Sequence, residues 1–216
     1  MDRRLKKRAG KAGFDLMRRG IATFLRGAQE VSGARRLAGA GVPALVARAW
    51  RDDLLAGYRL DPAEILRPLS ARSTEDLVAA RDIEFTSICM HHLMPFVGRV
   101  HIAYAPDGRI TGLSRLASLV DCLSRRLQLQ ETLTRQIADA IQRHLAPAGA
   151  ACLIEASHTC MTMRGSRKSR SRIVTVAFTG SFRRDVAARR EVLSLLTRLP
   201  RRAPTRTRER FREEDL

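Results

Sequence analysis

The 216-residue chain is 44% hydrophobic, enough for one domain with a real core, and it holds no run of about 18 apolar residues that would cross a membrane as a helix. Its formal net charge of +18 favours polyanionic partners such as nucleotides, nucleic acid or acidic surfaces. Aromatic residues make up only 5%, which argues against stacking platforms for single-stranded nucleic acid.

In chain order, Phe14, Met17, Ile21, Phe24 and Leu25 recur at helical spacing, with Gly27 as a stop. A second helix follows Pro43, carries Leu45, Val46, Ala49, Trp50 and Leu54 on one face, and ends at Gly57. A short DPAEIL segment occupies residues 61–66. The period then changes from helical to alternating. DIEFTSI (82–88) and VGRVHIAYA (97–105) read as strands, and PDGR (106–109) as a turn. Ser114 is placed to cap a helix carrying Leu116, Leu119, Val120 and Leu123. A further helix carries Leu133, Ile137, Ala140, Ile141 and Leu145. AACLIEAS (150–157) and RIVTVAFTGSF (172–182) read as two more strands, followed by a helix over 185–197 and an Arg-rich tail. The fold class is α+β: N-terminal helices, then ββααββ with an antiparallel sheet. Four strands leave two unpaired edges, which neighbouring subunits would close into a larger barrel.

Much of the positive charge sits at the ends, in MDRRLKKRAGK and RRAPTRTRERFR, as solvated tails or as anion-binding arms. The four cysteines show no disulfide-framework spacing. Arg18, Arg19 and Arg26 interrupt the apolar residues near the N-terminus, so the segment is a poor secretory signal. A reducing cytoplasm is the simplest compartment, and there a Cys/His cluster more often marks metal or catalysis than a crosslink.

Such a cluster exists. FTSICMHHLMPF (85–96) places Cys89, His91 and His92 within four positions. Singly, each reads as a buried small hydrophobe or a hydrogen-bonded histidine; together they suit metal-ligand chemistry. EASHTCMTMRG (155–165) carries His158 and Cys160 at the end of the third strand. Two strand ends that meet would offer Zn2+ two thiolates and one imidazole, from Cys89, Cys160 and His92. That is the three-ligand arrangement of a catalytic site, with a fourth position left for water. His91 and His158 would remain as bases beside the metal.

These segments carry a resemblance. SICMHHLMPFVGRVHIAYAPDGRITGLSRLA, RRLQLQETLTRQIADAI and IEASHTCMTMRG, approached by DPAEIL and ARDIEF, resemble type I GTP cyclohydrolase over roughly residues 42–196. The resemblance implies the tunnelling fold, assembled as a homodecamer of two pentamers. It implies Cys89, His92 and Cys160 as zinc ligands and His91 and His158 as the catalytic histidines. Gln130 and Glu131 match residues that grip the purine; a carboxylate there can accept two hydrogen bonds from the guanine N1–H and 2-amino edge. Ser114, Arg115 and Arg164 match contacts to the ribose and triphosphate. The implied reaction is hydrolysis of the imidazole ring of GTP at C8. Formate is released, and the ribose then rearranges and closes to 7,8-dihydroneopterin triphosphate.

The chain departs from the family pattern at several positions. Met90 stands where the family usually has Glu, Arg115 where it has Lys, Ser118 where it has Arg, and Leu45 where an arginine often sits. Each lost charge-assisted phosphate contact would cost roughly 1.5–3 kcal/mol, unless Arg167, Lys168, Arg170 and Arg172 compensate. Two alternatives follow: a same-fold enzyme for a related purine nucleotide, or a non-catalytic relative that binds nucleic acid or another partner through its basic tails. The domain reading is a basic helical extension at 1–41, a catalytic domain at 42–198 and a tail at 199–216.

Overall fold

The computed structural model describes residues 3–34, 38–70, 76–164 and 170–197; the expected tail at 199–216, and Arg167 and Lys168, lie outside them. The first helix, α1, runs from Arg3 to Ser32. It passes through Gly27 rather than stopping there, because one interior glycine costs only about 1 kcal/mol. It ends beside Gly33, whose φ of +66° suits a residue without Cβ. Helix α2 (Val42–Ala49) has proline in its first turn. It widens at Trp50–Leu54, where the Leu55 N–H donates to the Trp50 carbonyl at 2.8 Å, five residues back.

Gly57 marks a close approach rather than the expected helix end. Its N–H donates to the Arg125 carbonyl at 3.0 Å, and a Cβ there would overlap the Cys122 carbonyl oxygen. The DPAEIL segment forms α3 (Pro62–Ile65), capped by Asp61, whose carboxylate accepts from the Ala63 N–H at 2.9 Å.

Then come β1 (Leu69–Ser70), β2 (Val78–Cys89), β3 (Pro95–Ala105) and β4 (Arg109–Ile110), followed by α4 (Leu113–Ser124), β5 (Leu127–Gln128) and α5 (Gln130–Leu145). The chain closes with β6 (Gly149–His158), α6 (Thr159–Thr162), β7 (Ile173–Gly180), α7 (Ser181–Arg184) and α8 (Val186–Thr197). The main sheet has the order β5-β2-β3-β6-β7. The four long strands are antiparallel, as expected. The two-residue β5 adds a short parallel rung beside Ile88 and Cys89.

Two local details differ from the sequence reading. Strand β2 begins earlier than expected and bulges between Ala80 and Ile83, with Asp82 at φ +57°. Ser114 does not cap α4. The cap position is Gly112, and the Ser114 carbonyl instead accepts from the Ser118 hydroxyl at 3.1 Å.

Alternation along the strands sends Phe85, Phe96, Val100, Ile102, Tyr104 and Ile154 to one face, where they bury against Leu116 and Leu119 of α4 and Leu133, Ile137 and Ile141 of α5. The opposite set, Ala103, Ala151 and Leu153, lies under Phe182, Val192 and Leu196 of α7 and α8. Beside α8 the sheet leaves a groove of about 1050 Å3 lined in part by Glu84, Arg99, His101 and Glu155. Among the described residues no helix is long and apolar enough to cross a membrane.

Candidate metal centre and its surroundings

The cluster is built on the turn between β2 and β3. The Cys89 N–H donates to the Met94 carbonyl at 2.9 Å, and the Leu93 N–H donates back to the Cys89 carbonyl at 2.8 Å. Leu93 closes this loop with φ +53°, a left-handed conformation that is costly for a side chain of its kind. The Met90 N–H donates to the Gln128 carbonyl of β5 at 3.1 Å. The short fifth strand therefore anchors the loop that carries His91 and His92.

The register between β3 and β6 brings in the second segment. Phe96 lies opposite His158. The Phe96 ring, fully buried, stacks on the imidazole with centroids 4.6 Å apart and planes 5° from parallel. One residue on, the Thr159 hydroxyl donates to the Pro95 carbonyl at 2.6 Å and clamps the start of α6 to β3. Cys160, in the first turn of α6, is thereby carried to the β2–β3 turn.

The donor atoms of Cys89, His92 and Cys160 lie within 4.8 Å of one another. Tetrahedral zinc with two sulfurs and one nitrogen needs separations of roughly 3.5–3.8 Å, so at most about 1.3 Å of closure brings them to a common ion. Cys89 is buried, Cys160 half-buried and His92 exposed. Burial raises the Cys160 thiol pKa, and the neighbouring Cys89 raises it further. A thiol whose ionisation is opposed by burial and by a neighbouring sulfur is one that a bound divalent cation would relieve. The chemistry and the spacing both fit a zinc ion. Cys122 and Cys152 stand apart as free buried thiols, and burial alone pushes the Cys152 pKa far up.

His158 meets Gln130 at the start of α5, with Nε2 2.8 Å from the Gln130 Oε1. Burial lowers the His158 pKa, partly opposed by the negative charge of Glu131, so the ring is neutral near pH 7 and able to take a proton. Gln130 itself is 2% exposed. Its Nε2 faces the Ile154 carbonyl (3.1 Å), the Ile173 carbonyl (3.0 Å) and the Thr175 hydroxyl (3.1 Å). The Thr175 hydroxyl in turn meets that of Thr134 at 2.6 Å. Phe96, Thr159, Thr134 and Thr175 were absent from the sequence-derived set; their roles depend on register, which leaves no mark in composition.

The remaining expected residues sit around this centre on several elements. His91 is exposed, edge-on to His92 with centroids 6.2 Å apart. Glu131 is exposed in the first turn of α5 and close enough to act on His158. Arg164 is exposed beyond α6, where its charge favours the Cys160 thiolate. Ser114 and Arg115 form a separate group on the first turn of α4. There Arg115 donates to the Ile65 carbonyl at 2.8 Å and Ser114 is exposed. Met90 and Leu45 project into solvent, 52% and 62% exposed, and Ser118 spends its hydroxyl on the Ser114 carbonyl. Arg170 and Arg172 are exposed.

Fold and site together define a class: an α+β protein whose sheet end gathers two sulfurs and an imidazole beside a neutral, oriented histidine. Comparison with known proteins is specific. The family model for GTP cyclohydrolase I matches residues 18–197. The chain is 48% identical over 157 residues to GTP cyclohydrolase 1 of Pelotomaculum thermopropionicum, covering 72% of this chain and 83% of that one. It is 46% identical over 158 residues to GTP cyclohydrolase 1 of Streptococcus pyogenes, covering 73% and 81%. It is 47% identical over 156 residues to GTP cyclohydrolase 1 of Thermobifida fusca, covering 71% and 75%.

The chain belongs to the GTP cyclohydrolase I family. It is a hydrolase with the tunnelling fold that the sequence resemblance implied, and the alternative of a non-catalytic basic binder is set aside.

Proposed function

We propose that this enzyme opens the guanine imidazole ring of GTP at C8 in a zinc-dependent reaction, releasing formate and forming 7,8-dihydroneopterin triphosphate. The observation that carries the reading is the Cys89, His92 and Cys160 donor set, within 4.8 Å, next to His158. A zinc ion held by these three residues supplies the Lewis acidity that makes water a nucleophile at neutral pH. His158, held neutral by burial, and His91 accept and return protons as the C8–N bonds break. Glu131 accepts hydrogen bonds from the guanine N1–H and 2-amino group. Gln130, beside it at the start of α5, belongs to the same wall. Ser114, Arg115 and Arg164 serve the ribose and triphosphate. The proposed assembly is a homodecamer in the cytoplasm, its sheets joined edge to edge.

The test is purified protein with GTP, followed for formate and for the fluorescence of oxidised neopterin, with and without a chelator. Turnover should require zinc, and Cys160→Ala should fold, bind no zinc and form no product. Full turnover by that variant refutes the assignment. A second reading, action on a related purine nucleotide with fewer phosphates, is favoured by the exposed Leu45 and the internally bonded Ser118, which offer no cation where the family has one. Comparing GTP, GDP and GMP as substrates separates the two.

A further inference from the structure

The carboxamide of Gln130 cannot be turned around where it sits. Its nitrogen points at two backbone carbonyls, of Ile154 in β6 and Ile173 in β7, and at the Thr175 hydroxyl, all within 3.1 Å. Reversing the amide would set its oxygen against both carbonyls, acceptor against acceptor.

The hydroxyls fix the remaining direction. Thr134 Oγ1 donates to the Gln130 backbone carbonyl at 2.7 Å. Its single proton is thereby used, so in the 2.6 Å contact between Thr134 and Thr175 the Thr175 hydroxyl donates. Thr175 is then left as an acceptor for Gln130 Nε2. Every group around the amide nitrogen is an acceptor, and the amide oxygen is turned to His158 Nε2 at 2.8 Å. An amide oxygen can only accept, so His158 Nε2 carries the proton. The Phe96 ring, stacked 5° from parallel on the imidazole, holds its plane.

We propose that the Gln130 side chain is a positioning residue for His158 rather than a contact to the purine. It holds the proton of His158 on Nε2, directed at the Gln130 amide oxygen, and leaves Nδ1 as the ring nitrogen that Gln130 does not engage. The tautomer is read from geometry alone; what Nδ1 does in turnover rests on the function proposed above. At 2% exposure, with its amide protons directed at three acceptors inside the protein, this side chain has no donor to offer a nucleotide.

The test begins with the wild-type, zinc-loaded protein labelled with 15N-histidine. A two-bond 1H–15N correlation spectrum reads the tautomer of each ring, and His158 is assigned by its loss in His158→Asn. The expected result is a proton on Nε2; an Nε2 without a proton, or an equal mixture of tautomers, overturns the proposal. The second arm is steady-state kinetics of Gln130→Met, a variant of similar size without the amide. A positioning role predicts a fall in kcat of about 10–100-fold with KM unchanged. A raised KM with kcat retained overturns the proposal, because it is the signature of a lost substrate contact. If the variant does not fold, the wild-type spectrum still decides. A wild-type protein inactive on GTP but showing the Nε2–H ring sinks the proposed function and leaves this assignment standing. An active protein with the other tautomer does the reverse.

Discussion

Gly98 sits in β3, two positions beyond Phe96 and directly opposite Ala156 of β6. A Cβ placed there would overlap the Glu155 carbonyl oxygen and lie 2.7 and 2.8 Å from Ala156 Cα and Cβ. Ordinary carbon contacts begin near 3.5 Å, so Gly98→Ala requires β3 and β6 to part by roughly 1 Å at this rung. The obstruction is backbone, which cannot rotate away. Overpacking of this kind costs about 1–3 kcal/mol, a fall in Tm of about 2–12 °C for a chain of this size.

The same displacement acts two rungs from the Phe96–His158 pair and so moves Cys160 away from Cys89 and His92, whose donors must reach a common ion to within about 0.2 Å. The expected result is a variant that still folds, melts earlier, and holds zinc at least about tenfold more weakly in chelator competition. Differential scanning calorimetry and metal analysis after dialysis read both effects. If Gly98→Ala melted with the wild type and kept its zinc, the argument that strand register assembles the centre would be wrong.

Three other outcomes are expected. Glu131→Gln keeps the size of the side chain but removes the charge and one acceptor. KM for GTP should rise about 10–100-fold, one charged hydrogen bond being worth about 1.5–3 kcal/mol, while zinc content measured by metal analysis stays the same. His101 Nδ1 accepts from the Asp82 N–H at 3.3 Å, and burial lowers its pKa, with Arg81 and Arg99 adding to the shift and Asp82 and Glu155 opposing it. Its folded pKa lies below the unfolded value of about 6.5, so its contribution is intact above that pH and is lost as pH falls below it. Tm should therefore drop between pH 7 and 5.5 more steeply in the wild type than in His101→Asn, and parallel profiles would exclude this role. Leu93→Gly relieves a left-handed backbone cost of about 1–2 kcal/mol and forfeits about 0.5–1 kcal/mol of chain entropy. A small rise in Tm is expected; a fall would show that the Leu93 side chain, 54% exposed, stabilises the loop by packing.

The strand order and the metal-competent residues were readable because they leave local marks. Period-two alternation marked β2 and β3, the runs AACLIEAS and RIVTVAFTGSF marked β6 and β7, and nine cysteines and histidines in 216 residues make two Cys/His clusters conspicuous. What escaped the sequence was set by backbone. The two residues of β5 are too few to show alternation. The bulge at Asp82 follows from a φ of +57° that aspartate does not announce. Ser114 has the chemistry of a cap but lies one residue inside the helix. The family resemblance assigned Gln130 to the purine; its contacts to the carbonyls of Ile154 and Ile173 could not be read from sequence, because a backbone carbonyl has no residue type to recognise.

The Phe85 ring meets Phe96 edge-on at 5.6 Å, and Phe96 lies flat on His158. Phe96 thus joins the buried core directly to the histidine to which the proposed function gives a proton-transfer role. On that proposal, loosening the core at Phe85 would tilt the imidazole plane, and thermostability and turnover would change together along this line of rings.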